Sequence, residues 1–200
     1  MTAEDPTLRL RVARPRDAAA MLAIYAPIVR DTAISFELEP PTEREFANKL
    51  ETVLATHPWI VAEDAEGLLA GYAYATSFRA RPAYDWTCES SVYVAAGHRG
   101  RGVGHLLGTV LIDLLAGQGF TCVVAGIALP NEPSRVLHRR LGYREVGVVE
   151  RAGVKFGNYH AVEFWERALG ADAAAPAKAP TEFARWVAGG GLAGTRIAPA

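Results

Sequence analysis

The sequence predicts an α/β (α+β) domain, a mixed sheet with helices on both faces. Three observations carry that reading. Short runs rich in β-branched and aromatic residues are separated by segments whose apolar residues recur at three-four spacing. The runs fall in the order β-α-α-β-β-β-α-β-α-β-β. The pattern stops at residue 169, where an Ala/Pro-rich stretch begins.

Residues 8–12 alternate Leu8, Leu10 and Val12 with Arg9 and Arg11, a first strand with one wet face. Pro15 and Asp17 suit the first turn of a helix through Met21, Leu22, Ile24 and Tyr25. Pro27 is expected to kink or end it, leaving 28–37 as two short pieces. Thr42-Glu43-Arg44-Glu45 is a capping box, and the helix behind it buries Phe46, Leu50, Val53 and Leu54. Residues 59–62 and 68–77 read as antiparallel strands joined by a turn at 64–67. A loop over 78–85 leads into a central strand over 86–95. A helix over 102–115 follows, with apolar residues at 103, 106, 107, 110, 111, 114 and 115. Residues 120–127 read as a buried strand. A short helix over 131–141 has Pro133 in its first turn and Gly142 past its end. Two strands, 143–149 and 154–167, finish a domain spanning 1–169. Residues 170–200 read as a poorly ordered tail.

Of the 200 residues, 50% are hydrophobic and 22% charged, enough apolar content for one buried core. A formal charge of -1 gives no electrostatic case for nucleic acid or an anionic membrane. No apolar run reaches the ~20 residues of a membrane span. The segment 1–6 lacks the basic flank and apolar core of a secretory leader. Cys88 and Cys122 lie in strand-like runs and read as free buried thiols in a reducing cytoplasm. The five histidines show no ligand spacing, so no metal is expected; His57 and His105 read as ordinary surface or helix residues.

Between the central strand and its helix lies Arg99-Gly100-Arg101-Gly102-Val103-Gly104. Glycines let main-chain N–H groups approach a ligand, amides at a helix start form an anion site, and arginines add charge. A P-loop would need Lys and then Ser or Thr after the last glycine, but His105 follows Gly104. A dinucleotide fingerprint would need an acidic residue about 20 positions on, and Thr121 and Cys122 are not acidic. The bare pattern is a weak signal, because a Gly-rich strand-to-helix turn is more often simple structure.

R-x-x-G-x-G directly after a strand resembles the pyrophosphate-binding signature of the GNAT superfamily of acyl-CoA N-acyltransferases. Longer strings resemble its phosphinothricin and methionine sulfone/sulfoximine N-acetyltransferase branch. They are Ile24-Tyr25-Ala26-Pro27-Ile28-Val29, Ser35-Phe36-Glu37, Tyr84-Asp85-Trp86-Thr87-Cys88-Glu89-Ser90-Ser91-Val92-Tyr93-Val94, Leu129-Pro130-Asn131-Glu132-Pro133-Ser134, Leu137-His138-Arg139-Arg140-Leu141-Gly142-Tyr143 and Val154-Lys155-Phe156-Gly157-Asn158-Tyr159. The resemblance covers nearly all of 8–169. It implies a mostly antiparallel sheet with a splayed central strand pair, acetyl-CoA as donor, the α-amine of a small amino-acid-like acceptor, and a homodimer.

The same resemblance distributes roles. Val92, Tyr93 and Val94 would pair with the pantetheine amides as an added strand does, with a main-chain N–H near Val94 on the thioester oxyanion. Arg99, Gly100, Arg101, Gly102, Val103 and Gly104 would take the pyrophosphate. Glu89 would deprotonate the amine, directly or through a water; otherwise it is an exposed strand residue or an ion-pair partner of Arg79 or Arg81. His138 stands where many GNAT enzymes place a tyrosine acid, four residues before Gly142, so it is an acid or a structural group. Asn131 and Ser134 would hold the pantetheine arm or cap their helix. Arg79 and Arg81 suit oxyanion recognition, and Tyr84, Phe36 and Glu37 match residues lining the branch's acceptor site. Lys155 and His160 would close the pocket or a subunit interface. Other amines remain alternative acceptors, and a non-catalytic acyl-CoA sensor is the rival outside enzymes.

Overall fold

The computed structural model describes residues 8–170 and 178–198. Strand β1 is Arg9–Val12, β2 Trp59–Glu63, β3 Leu69–Ser77, β4 Thr87–Val94, β5 Cys122–Ala128, β6 Arg144–Lys155 and β7 Asn158–Ala168. They form one sheet in the order β1-β2-β3-β4-β5-β7-β6, in which only β4 and β5 run parallel. Helices α1 (Ala18–Asp31) and α2 (Glu43–Thr56) are on one face, α3 (Val103–Gln118) and α4 (Glu132–Arg140) on the other. The expected mixed, mostly antiparallel α/β architecture is found.

Local chemistry accounts for most boundaries. Thr42 caps α2 as a box: its hydroxyl accepts from Glu45 N–H at 3.3 Å, and Glu45 accepts from Thr42 N–H at 2.8 Å. Phe46 and Leu50 then point into a core with Met21, Tyr25, Trp59 and Tyr72. The β6–β7 hairpin closes through Phe156 and Gly157, both at positive φ, as a two-residue hairpin turn requires. Shifts in the register absorb residues 150–152, so β6 is continuous where a break was expected.

Three further expectations need correction. Pro27 neither ends nor splits its helix; α1 runs on to Asp31. Ala23, whose carbonyl loses its N–H partner, and Pro27 are both on the exposed face, while Ile28 and Val29 beyond them are buried. Arg11, placed by alternation on the wet face of β1, is buried. Asp17 receives its guanidinium at 2.6 and 2.9 Å and Glu63 at 2.6 Å. Burial pushes the Asp17 carboxyl up, but Arg11 and the Arg14 N–H outweigh it and hold it below its ordinary value.

The third correction concerns the tail. Residues 171–177 lie outside the described residues, but 178–198 are docked rather than loose. Thr181 exchanges two 2.8 Å hydrogen bonds with Gln118, and the Trp86 indole donates to Lys178 O at 3.0 Å. Helix α5 (Phe183–Ala188) buries Phe183 and lays Trp186 where a Cβ on Gly117 would stand 2.8 Å from its ring. Ala198 N–H then bonds Leu10 O at 2.9 Å, covering the β1 edge. Helix α3 explains the need: Ile112, off its main stripe, is buried as well, so one sheet face cannot cover it. A chain ended after Gly170 is expected to lose roughly 5 °C or more of melting temperature, given ~1.5–3 kcal/mol per buried large apolar side chain and ~2–4 °C per kcal/mol at this size. Calorimetry of the shortened and full chains measures it, and equal midpoints would mean that the docked segment adds nothing.

Candidate active site

The β4–β5 ladder is short. It pairs Thr87, Cys88 and Glu89 with Cys122, Val123 and Val124 and then stops, whereas β4 stays paired to β3 as far as Val94 opposite Gly71. Beyond Glu89 the two parallel strands part. Ala95 N–H donates to Ala70 O, toward β3, and Trp86 C=O accepts from Thr121 and Cys122, toward β5. These directions alternate along an unbulged strand, so the main-chain groups of Val92 and Val94 face the opening. At its apex the Ser90 hydroxyl lies 3.3 Å from Val124 O and 2.9 Å from the Tyr143 hydroxyl, a buried tie with no signature in the residue pattern.

The turn over 95–102 leads out of this opening. Gly100 and Gly102 have φ of 75° and 86°, a backbone that side chains rarely adopt. Gly102 caps α3, whose first bonded amide is Leu106 N, to Gly102 O at 3.0 Å. The amides of Val103, Gly104 and His105 therefore have no acceptor within the helix, and the turn gathers them into an anion-ready end. Arg99 Nε reaches Val94 O at 3.4 Å, and Arg101 is exposed on the turn.

Glu89 stands on the last rung before the strands part. Its side chain is half-buried and makes no hydrogen bond or ion pair among the described residues. It lies across Gly126, where a Cβ would be 3.5 Å from Oε1. Burial raises its pKa above the ordinary carboxylate value, and the nearby charge of Arg79 only partly offsets this. The alternative of an ion pair with Arg79 or Arg81 is not realised.

Two residues before Glu89, a cleft of about 500 Å³ opens on the same sheet face. Thr87, Val124, Val148 and Phe164 floor it, and Phe78, Arg79 and Tyr84 wall it. Arg79 stacks over Phe78 at 5.0 Å, and Tyr84 meets the same ring edge-on at 5.8 Å. Arg81 is exposed at the start of the Pro82–Tyr84 turn and does not line the cleft. Phe36 and Glu37 sit farther along, where α1 meets the β6–β7 hairpin. A Cβ on Gly153 would be 2.5 Å from the Phe36 ring, and Glu37 bears electrostatically on the enclosed hydroxyls of Tyr25, Tyr72 and Tyr93. Lys155 bolts this corner, donating to Val29 O at 2.6 Å and Ser35 O at 2.8 Å, while His160 lies 3.0 Å from Lys155 O.

On α4 the capping alternative is realised. Asn131 accepts from Ser134 N–H at 3.3 Å. His138 is buried, edge-on to Tyr143, with Nδ1 2.8 Å from Ser134 O. A carbonyl only accepts, so Nδ1 carries the proton. Burial lowers the His138 pKa, and the neutral ring then offers Nε2 as an acceptor. That state suits a structural group better than an acid.

The model of the acetyltransferase (GNAT) domain matches residues 10–162. The chain belongs to the GNAT acetyltransferase family. The phosphinothricin N-acetyltransferase of Streptomyces viridochromogenes is 43% identical over 167 residues, covering 84% of this chain and 91% of that protein. The L-methionine sulfoximine/L-methionine sulfone acetyltransferase of Pseudomonas aeruginosa is 34% identical over 171 residues, with 84% and 98% covered. The Sinorhizobium meliloti phosphinothricin acetyltransferase, solved in complex with AcCoA, superimposes with a TM-score of 0.80 at 34% identity, over 88% of this chain and 94% of that one. This GNAT chain is thus an N-acetyltransferase. No helix among the described residues is long and apolar enough to cross a membrane, and no three His, Cys, Asp or Glu side chains there gather as metal ligands.

If His138 is structural, His138→Ala lowers kcat by less than about tenfold and stability by ~1–3 kcal/mol. The alkaline limb of the kcat profile then stays in place. Loss of that limb in the variant would restore the acid role.

Proposed function

We propose that this enzyme transfers the acetyl group of acetyl-CoA directly to the α-amine of a small amino-acid-like acceptor of the phosphinothricin or methionine sulfone/sulfoximine type. The observation that carries the proposal is a half-buried carboxylate without a hydrogen-bond partner among the described residues, on the last rung before the β4–β5 opening, between that opening and an Arg-walled cleft. The residues fit the donor: the open main chain of Val92 to Val94 suits pantetheine amides, and the turn amides with Arg99 and Arg101 suit a diphosphate.

In this reading Val94 N–H donates to the oxygen that turns anionic as the thioester carbonyl is attacked, an interaction worth ~2.7–4 kcal/mol. Glu89 takes the proton that the ammonium must lose before its nitrogen can attack. Arg79, with Arg81 nearby, receives the acceptor's carboxylate or its polar head, while Tyr84, Phe36 and Glu37 bound the acceptor. Asn131 retains its amide N–H groups for the pantetheine arm once its oxygen is used as a cap. His138 shapes the opening through Tyr143. We take the enzyme to act as a homodimer, as the resemblance to its branch implies, and the free thiols Cys88 and Cys122 suit the reducing cytoplasm.

Glu89→Gln is expected to lower kcat by ~10²–10⁴-fold with little change in acetyl-CoA affinity. In the parent, kcat/KM falls as pH drops through the raised Glu89 pKa, because the base must be ionised; that limb flattens in the variant. Stability moves the opposite way. A carboxyl whose folded pKa is raised favours the fold below its unfolded value and loses that benefit as pH rises through the folded one. The variant therefore melts higher at pH 7, and the gap closes toward pH 4. A variant with normal turnover would remove Glu89 from catalysis.

An acceptor panel read by CoA release tests the substrate class. Methionine sulfone and phosphinothricin are expected to react and spermidine not, with Arg79→Ala raising the acceptor KM by about tenfold or more through loss of one charged contact. Acetyl-CoA binding without turnover on any amine would favour the sensor.

A further inference from the structure

The Gly-rich turn is tied to the rest of the molecule by a contact that lies outside the roles above. Its ends are fixed: Ala95 N–H bonds Ala70 O at 2.9 Å, and Gly102 O accepts the first bond of α3. Of residues 96–101 between them, only His98 withdraws from solvent; the other five are exposed. His98 Nε2 lies 3.1 Å from Asp64 Oδ2, and the two side chains are only 19% and 12% exposed.

Asp64 is itself rigidly held. It is the first residue after β2, and its Oδ1 accepts from Glu66 N–H at 3.1 Å and Leu68 N–H at 2.8 Å. Asp64 N–H bonds Leu68 O at 2.9 Å, and Gly67 N–H bonds Asp64 O at 3.0 Å. One carboxylate oxygen thus shapes the β2–β3 turn, while the other reaches across to the donor turn. A segment holding Gly97, Gly100 and Gly102 loses much backbone freedom when it is ordered. If it were loose, a ligand would have to order it on binding and affinity would fall.

We propose that Asp64 and His98 are positioning residues that brace the 95–102 turn for the diphosphate of the acyl donor. The proposal rests on the reading of this turn as the donor's diphosphate site. A brace acts only on what the turn holds, so its loss weakens acetyl-CoA and spares acetyl-pantetheine, which carries no diphosphate.

The experiment compares His98→Ala, His98→Gln and Arg101→Ala with the parent, using both donors. His98→Ala is expected to raise the acetyl-CoA KM about tenfold by giving up preorganisation, with kcat at saturating donor, acceptor KM and the acetyl-pantetheine KM each within twofold. His98→Gln, which keeps an N–H for Asp64, is expected to recover most of the loss. If Arg101→Ala weakens acetyl-CoA while His98→Ala does not, the brace is wrong and the turn reading stands. If neither does, both fall. An equal loss with the two donors, or a loss that only tracks a lowered melting temperature, also overturns the brace.

Discussion

The structure turns on the end of one ladder. After the Glu89–Val124 pair, β4 continues beside β3 while β5 continues beside β7, and nothing joins β4 to β5 through the main chain. Main-chain N–H and C=O groups are obligate hydrogen-bonding groups, so a parted pair of strands inside a sheet must find partners elsewhere. The opening faces water, which can supply them, and a chain of amides can displace that water with matching geometry. The sheet therefore carries a strand-shaped vacancy at its centre rather than at an edge.

The surroundings keep that opening fixed in width and direction. The Ser90 hydroxyl, reaching Val124 O and Tyr143, is the last cross-link before the strands diverge, and His138 packs edge-on against the same Tyr143. On the far side Gly71 faces Val94 with no room for a side chain: a Cβ there would stand 2.7 Å from Tyr93 O. A Cβ on Gly104 at the head of α3 would stand 3.4 Å from both Val94 and Leu137, so the helix start packs close to the strand. The docked C-terminal segment contributes from a distance. By covering Gly117 and the end of α3, it lets that helix be apolar around most of its circumference.

Periodicity made the element order and the main core legible, because each strand or helix stripe reports its own burial. What it did not reveal depends on partners far away in sequence. Arg11 reads as a wet residue until Asp17 and Glu63 meet on it. Pro27 reads as a break until Ala23, whose carbonyl it leaves unpaired, proves to be on the exposed face. The tail looked loose by composition, but the apolar excess on α3, Ile112 above all, was a signal that something further must cover that helix. In the site, the Gly-rich turn and Glu89 were visible because they break the pattern of a plain strand. The acid-or-structural ambiguity of His138 could not be read from spacing. It depends on the tautomer and charge of the ring, which are set by the carbonyl that Nδ1 meets, Ser134 O, one helical turn back.

The lack of a hydrogen-bond partner on Glu89 among the described residues is itself informative. A carboxylate in a half-buried strand position is stabilised most easily by an arginine at hydrogen-bond distance, and Arg79 is close enough for its charge to be felt. Closing that gap would lower the pKa of Glu89 and weaken it as a base, while also withdrawing Arg79 from the cleft it walls. Leaving the gap open costs stability at neutral pH but, in the chemistry proposed above, preserves both groups for an acceptor that carries an ammonium and an anionic group. Gly126 serves the same end from below: without a Cβ, it leaves the carboxylate room over the strand. The local arrangement thus sacrifices some stability of the free protein and keeps one basic and one cationic group unspent, a few residues from the open main chain of β4.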